Sequence, residues 1–285
     1  MSTDNSSLFI KSRNRKVSRL IKAMKNGSRM TIRTFNGSDY NTGKFSLSGS
    51  TRAINFVGGH YPNSVASITD VNFRDAVDEC LATHPVNGLC VDSEYGPMPD
   101  WDVSSVGSMS LAFQDRTDFD VDISSWDVSN ATNMAGMFVG ASSFNQPIGD
   151  WDVSSVIGTS MMFSGADSFN QPIGDWDVSN VTDMAMMFSN ANSFNQNIGG
   201  WDVAKVTDMK FMFYHAILFN QDISSWNVSN VTNMDTMFGE ASAFNQPIGS
   251  WDVSNVADMS NMFDDATSFN QDTTGWGNSQ ILIKK

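Results

Sequence analysis

Aspartates recur at one fixed position of this sequence and are the most regular set of residues that could do chemistry. Seven regularly spaced tryptophans each begin a copy of a repeated motif, and we number the positions of a copy from its tryptophan, which is offset 0. Offset 1, the residue after the tryptophan, is aspartate in six copies and Asn227 in the other. These aspartates are Asp102, Asp127, Asp152, Asp177, Asp202 and Asp252. Stacked carboxylates offer the oxygen ligands that Ca²⁺ takes. Offset 7 adds Asp183, Asp208 and Asp258, again with asparagine in other copies. Because asparagine replaces aspartate at both offsets, we predict capping or turn acceptors and no metal site, with calcium as the alternative.

The other residues with catalytic potential form no arrangement that a mechanism could use. His60, His84 and His215 are scattered, no glycine-rich phosphate loop follows a predicted strand, and no nucleophile can be matched with a base. Cys80 and Cys90 are the only cysteines. They could form a disulfide, but two cysteines do not determine the compartment. The sequence therefore predicts no catalytic residue and no cofactor, and a protein that is not an enzyme.

The tryptophans themselves explain the regular spacing of these residues. All eight lie 25 residues apart, from Trp101 to Trp276, and seven full copies of one motif occupy residues 101–275. The consensus is W-D-V-S-N-V-T-D-M-x-x-M-F-x-x-A-x-x-F-N-Q-x-I-G-x. A fixed period of this length predicts stacked units, each of which buries its apolar face against its neighbours.

Two short elements are predicted in each copy. In the copy from Trp176 to Gly200, apolar residues at offsets 5, 8, 11, 12 and 15 indicate a helix of about three turns. Tryptophan and valine at offsets 0 and 2 indicate one face of a short strand. The predicted fold class is an α/β repeat solenoid with a short strand and a short helix per 25-residue turn. Asparagines at offset 19 are expected to form a buried column that satisfies turn backbone groups.

The segments that flank the repeats have patterns of their own. Residues 71–100 are predicted to form an N-terminal capping helix and turn, because apolar residues from Phe73 to Leu81 have helical spacing. Residues 276–285 are predicted to form a C-terminal cap strand that ends in two lysines, which protect the edge. Residues 28–70 are predicted to form a small β meander. Its apolar runs are Met30–Phe35, Phe45–Leu47 and Ala53–Val57, and its turn signals are Asn36-Gly37 and Thr42-Gly43.

Residues 1–27 are predicted to form a basic amphipathic arm, so that the repeats carry a small basic α+β extension. Residues 1–60 contain eleven Lys or Arg and two Asp, although the whole chain has a net charge of −14. The basic residues of the arm are Lys11, Arg13, Arg15, Lys16, Arg19, Lys22 and Lys25. Val17, Leu20, Ile21 and Met24 follow the spacing of one helix face. Such an arm suits an acidic protein surface, nucleic acid or an anionic membrane. We favour protein, because the arm's helix lacks aromatic residues for base stacking.

The fifth copy departs from the pattern at positions where the other copies carry small or polar residues. Apolar and aromatic residues clustered at non-core offsets are typical of a protein-binding surface. The alternative is that these offsets are partly buried against the N-terminal segment or between the predicted helices. The predicted partner-binding residues are Met161, Met186, Lys205, Lys210, Phe211, Tyr214, His215, Ile217 and Leu218.

The string W-D-V-S-N-V-T-D-M-x-x-M-F followed by F-N-Q-x-I resembles the 25-residue tandem repeat of BspA-like leucine-rich-repeat proteins. That repeat also occurs in mycoplasma-type surface lipoproteins and in marine microbial and algal proteins. The resemblance covers residues 101–275 and the caps on either side, and it implies a leucine-rich-repeat-like solenoid linked to adhesion or protein binding, without catalytic residues. We see no secretory signal and no apolar run of membrane-spanning length. The sequence therefore favours an intracellular or assembly-bound scaffold, a virion included, that is anchored by its arm. The alternative is a cell-surface adhesin or ligand receptor.

Overall fold

The computed structural model describes residues 30–36, 39–45, 67–90 and 93–277. The chain divides into two compact units, residues 1–58 and residues 59–285. In the first unit, strands β1 (Met30–Asn36) and β2 (Asp39–Phe45) pair antiparallel. The expected turn at Thr42-Gly43 is wrong, because the register continues through residues 42–43 from the Asn36↔Asp39 pair. Of the expected run Phe45–Leu47, the structure describes only Phe45, the last residue of β2. The basic arm and the third run of the meander lie outside the described residues.

The second unit begins with the only α-helix among the described residues, α1 (Phe73–Thr83). Its apolar face is buried and includes Ala76 and Val77. A disulfide joins Cys80, near the end of α1, to Cys90. Short 3₁₀ turns follow at Met98–Asp100, just before the first copy, and at Thr274–Trp276, where an eighth copy begins. None of the described helices is long and apolar enough to cross a membrane.

The predicted helix of each copy is wrong, since the structure has a series of turns at those offsets. In the copy that begins at Trp126, the N–H groups of Met137, Val139 and Ala141 each donate to the carbonyl three residues earlier. The N–H groups at the alternating offsets 8, 10, 12 and 14 donate instead to carbonyls of the next copy, at 2.7–3.0 Å. Along this segment, N–H groups that bond within the copy therefore alternate with N–H groups that bond to the next copy. None of them bonds to the carbonyl four residues earlier, which an α-helix requires.

Left-handed backbone conformations at two offsets explain why no helix forms in the copies. In all seven copies, the residues at offsets 10 and 14 have φ between +53° and +69°. A left-handed residue turns its N–H away from the helix direction, so two such residues four positions apart exclude a continuous right-handed helix. The apolar spacing that suggested a helix also fits this chain of turns, because the same offsets point inward in both.

The predicted strand at offsets 0 to 2 is also wrong. Parallel bridges between copies occur at offset 7, from Ser108↔Asn133 through to Asn233↔Asp258. At offsets 1 to 5 the chain turns instead, as in the 2.9 Å bond from the N–H of Val156 to the carbonyl of Val153. The side chain at offset 1 accepts hydrogen bonds within this turn, so the residues at offsets 0 to 2 do not pair as a strand.

Rings at matching offsets stack on one another and form the core. The offset-12 phenylalanines lie 5.4–5.7 Å from one copy to the next, and six of the seven are completely buried. Each also stacks on the offset-18 phenylalanine of its own copy, at 3.9–4.0 Å. The indole Nε1 of Trp151, Trp176, Trp201, Trp226 and Trp251 donates to the carbonyl of the isoleucine 28 residues earlier, at offset 22 of the copy before the preceding one, at 3.1–3.3 Å. These bonds satisfy the one polar group that the buried tryptophans carry.

The first copy is adapted to the cap that precedes it. Asp70 Oδ1 accepts from the N–H groups of Gly107 and Ser108, at 2.8 and 2.9 Å. In the inner copies, N–H groups at these offsets donate instead to a backbone carbonyl of the preceding copy. Arg116, which replaces the consensus alanine, contacts Asp78 of α1 at 2.6 Å. Of the predicted C-terminal cap strand, residues 276–285, the structure describes only Trp276, which ends a 3₁₀ turn, and Gly277. The rest lies outside the described residues.

Candidate interaction surface

The aspartates at offset 1 act as turn caps. Asp152 Oδ1 accepts from the N–H of Ser154 at 3.1 Å and from its hydroxyl at 2.6 Å. Asn227 accepts the same two bonds from Ser229, at 3.2 and 2.7 Å, so an amide oxygen can replace the carboxylate. The serine bonds hold the pKa of Asp152 and of Asp177 below the usual range. Within the described residues, no group of three or more His, Cys, Asp or Glu could hold a metal ion.

The asparagines at offset 19 link each copy to the next. Asn170 Oδ1 accepts from the N–H of Asn195 at 3.0 Å and from Nε2 of Gln196 at 2.9 Å. The same bonds recur along the column, and Asp120 provides the acceptor in the first copy. The column is partly or fully exposed, so the expectation of burial is wrong. Its role is to satisfy backbone groups that turn away from the core.

An aromatic and charged cluster lies at the predicted partner-binding position of the fifth copy. The Phe211 ring meets the Tyr214 ring edge to face at 5.7 Å. The Tyr214 hydroxyl donates to Glu240 Oε1 at 2.6 Å, and this bond raises the pKa of Tyr214 above its usual value. His215 Nε2 lies 3.9 Å from Glu240 Oε2. We call Phe211, Tyr214, His215 and Glu240 the aromatic cluster; Phe211, Tyr214 and His215 are each half-buried.

Met161 and Met186 share offset 10 with Phe211, and backbone hydrogen bonds join their copies. The N–H of Met161 donates to the carbonyl of Ala185, and the N–H of Met186 to that of Lys210. A side chain at this offset covers the same position of the next copy: a methyl group on Gly136 would collide with Leu111 Cδ2. Met161 is 37% exposed, and Met186 is half-buried. The structure therefore places the three residues in one row that ends at the aromatic cluster.

The remaining predicted residues lie around this row or away from it. Lys210 Nζ is 3.5 Å from Asp208 Oδ2, two residues before it. Leu218 is 53% exposed, while Ile217 is half-buried. Lys205 donates to Asn180 Oδ1 at 2.7 Å. Lys205, Ile217 and Leu218 take no part in the contacts that join Phe211, Tyr214, His215 and Glu240.

Two residues of this surface escaped the sequence prediction. Glu240 accepts a hydrogen bond from Tyr214 and lies 3.9 Å from His215, and Ile157 is 51% exposed in the same copy as Met161. Glu240 is the only glutamate in residues 101–285 and shares offset 14 with His215, which is a signal that the sequence does contain. Ile157 stands at offset 6, where four of the other copies carry threonine.

Comparison with known proteins identifies the family. The model of the family described as "Mycoplasma protein of unknown function, DUF285" matches residues 90–201 and 182–284, more than half of the chain. The chain belongs to this family. Neither the curated proteins nor the solved structures contain a match. The two matched ranges together cover all seven tandem copies.

Proposed function

We propose that this DUF285 protein is a non-enzymatic scaffold or protein-binding element of a larger assembly, anchored by its basic N-terminal arm. Its stacked copies form a leucine-rich-repeat-like solenoid of the BspA-like kind. The observation that carries the proposal is the row of large apolar side chains at the left-handed offset 10 of copies 3 to 5, next to the aromatic cluster.

Large side chains at offset 10 are costly for the backbone. The φ values of Met161, Met186 and Phe211 are +57°, +59° and +55°. A residue with a Cβ loses roughly 1–2 kcal/mol in this conformation, whereas glycine loses almost nothing. Copy 2 carries Gly136 at the same offset, with φ +61°. The fold therefore accepts glycine here, although six of the seven copies carry a residue with a Cβ, so it is the size of Met161, Met186 and Phe211 that needs another reason.

Partner binding is a reason that fits the position. Backbone strain is retained at functional sites when the side chain it presents is useful. Apolar and aromatic side chains that cluster on a surface are typical anchors of protein interfaces. Tyr214 and His215 are the only tyrosine and histidine of residues 101–285, and both lie beside this row. The proposal assigns the row and the aromatic cluster to one partner-binding surface.

A photo-crosslinking phenylalanine analogue at position 211 tests this surface in the source cell. We expect covalent adducts with a protein, identified by mass spectrometry. The same analogue at Ser225, an exposed residue of the same copy, is the matched control and should give few adducts. Equal labelling from both positions, or no protein adduct from position 211, would contradict the proposed surface.

A second candidate, a cell-surface adhesin or ligand receptor, is favoured by the Cys80–Cys90 disulfide of the cap. Disulfides persist mainly in oxidising compartments such as the cell exterior. Protease treatment of intact cells separates the two candidates. Removal of the protein while a cytosolic marker survives would favour the adhesin, whereas protection until lysis would favour the internal scaffold.

A further inference from the structure

We propose that the surface formed by offsets 7, 9, 10, 13 and 14 of copies 3 to 7 binds residues 11–25 of a second copy of this chain. We call this surface the acidic face. The proposal rests on the proposed function and deepens it, because it names the chemistry of the partner. Contacts join these offsets in two groups. Phe211 meets Tyr214 (offsets 10 and 13) and Tyr214 binds Glu240 (13 and 14), while Lys210 lies beside Asp208 (9 and 7). Lys210 directly precedes Phe211 in the sequence, so we assign both groups to one face.

The charge of these offsets changes along the stack. In copies 1 to 3 they carry a single acidic residue, Asp115. In copies 4 to 7 they carry seven acidic residues, and their basic residues are Lys210 and His215. The acidic residues are Asp183, Asp208, Asp235, Glu240, Asp258, Asp264 and Asp265. The apolar row of Met161, Met186 and Phe211 leads from the neutral half into the acidic half. A partner that suits both parts needs an apolar stripe together with an excess of positive charge.

Residues 11–25 have this chemistry. They contain seven Lys or Arg and no acidic residue, and Val17, Leu20, Ile21 and Met24 follow the spacing of one helix face. Methionine-rich surfaces adapt well to such amphipathic segments. The arm therefore complements the acidic face in both charge and apolar content.

The dimensions also agree. Between copies 3 and 7, the offset-12 rings advance by four steps of 5.6 or 5.7 Å. Four such steps equal the length of a 15-residue α-helix, about 22 Å. A helix of residues 11–25 lying along the stack axis would reach from the exposed Met161 to the acidic residues of copy 7.

Sedimentation equilibrium of the full chain tests the proposal. We expect the wild-type chain to self-associate, and to do so less as salt rises from about 0.05 M to about 0.5 M, because salt screens the charge pairs. Two variants should be monomeric: an arm variant with Arg15, Arg19 and Lys22 changed to Glu, and a face variant with Met186→Gly and Phe211→Gly. Mixed together, they should associate again, because one supplies an intact face and the other an intact arm.

Matched controls keep the result specific. Leu111→Gly makes the same change at offset 10 of copy 1, outside the acidic face, and Lys205→Glu reverses a charge away from the aromatic cluster. Both should associate like the wild type. A circular dichroism melt checks that every variant is folded.

Three outcomes would overturn the proposal. The first is a monomeric wild-type chain at low salt. The second is association that survives in the face variant. The third is an arm variant that loses binding to phosphatidylserine vesicles or to RNA while its self-association is unchanged. If position 211 then crosslinks to a different protein, the binding function stands and only the identity of the partner is wrong.

Discussion

Offsets 10 and 12 are two residues apart in every copy and follow opposite rules. Offset 12 is phenylalanine in all seven copies and is buried in each. Offset 10 is left-handed in all seven copies but carries Leu, Gly, Met, Met, Phe, Thr and Asn in turn. Packing in the core fixes the residue at offset 12, whereas at offset 10 the left-handed backbone is constant and the residue type varies. Residue choice at offset 10 is therefore free to serve a partner.

The sharpest test of this contrast lies within the fifth copy. Phe213 is completely buried and stacks on Phe188, Phe219 and Phe238 at 4.0–5.7 Å. Phe213→Ala should lower the free energy of unfolding by about 3–5 kcal/mol, because it removes buried contacts and leaves a cavity. Phe211→Gly should change it by less than about 1 kcal/mol, because relief of the left-handed strain offsets the lost partial burial. Urea unfolding followed by tryptophan fluorescence measures both.

One result for the Phe213→Ala and Phe211→Gly variants would contradict the contrast between offsets 10 and 12. A loss for Phe211→Gly that approaches the loss for Phe213→Ala would mean that Phe211 is a core residue. Offset 10 would then be set by packing between copies, and the argument for a binding surface would lose its basis.

The reverse substitution measures the backbone cost directly. Gly136→Ala adds a Cβ at φ +61°, where it would also press on Leu111. We expect a loss of about 1–2 kcal/mol in the free energy of unfolding. Gly158→Ala is the control, since that glycine has an ordinary φ and its added Cβ would meet only Asn133 Oδ1, at 3.5 Å. An equal loss in both variants would argue against a special cost at offset 10.

Sequence alone predicts the period, the rows and the inward offsets, because these depend only on which residues recur every 25 positions. It does not predict the local backbone, because a chain of turns and a helix place the same offsets inward. The relevant signal was present: Gly136 and Gly140 are four residues apart inside the supposed helix, where glycine is unfavourable. The aromatic cluster was found except for Glu240, whose role depends on stacking of offset 14 on offset 14 across copies.

The asparagine column tests whether residues on the surface of the repeats can have a structural role. Asn170→Ala removes the acceptor for the N–H of Asn195 and for the Gln196 side chain. We expect a loss of about 1 kcal/mol, the usual effect of a hydrogen bond that is partly open to water. Asn170→Asp should recover most of it, because Asp120 serves as the acceptor in the first copy. Thermal melts of the two variants test this, and an Asn170→Ala variant as stable as the wild type would contradict the structural role.

Acidification should produce the smallest effect, through the turn caps at offset 1. Serine bonds lower the folded-state pKa of Asp102, Asp152 and Asp177. A lowered pKa stabilises the fold above the unfolded pKa of about 4, and this stabilisation is lost as the pH falls through the folded value. The urea midpoint should therefore be flat from about pH 7 to pH 5 and fall below about pH 4.

Changing these three aspartates to asparagine should flatten the fall without unfolding the protein, because Asn227 already closes the same turn with an amide oxygen. An asparagine cannot gain a proton in this range, so its cap does not depend on pH. The caps are exposed, and water screens each contribution, so the difference between the two pH profiles should be small but additive over the three sites. A triple variant whose profile falls as steeply as that of the wild type would place the acid sensitivity elsewhere, and the carboxylates of the acidic face would then be the first residues to substitute.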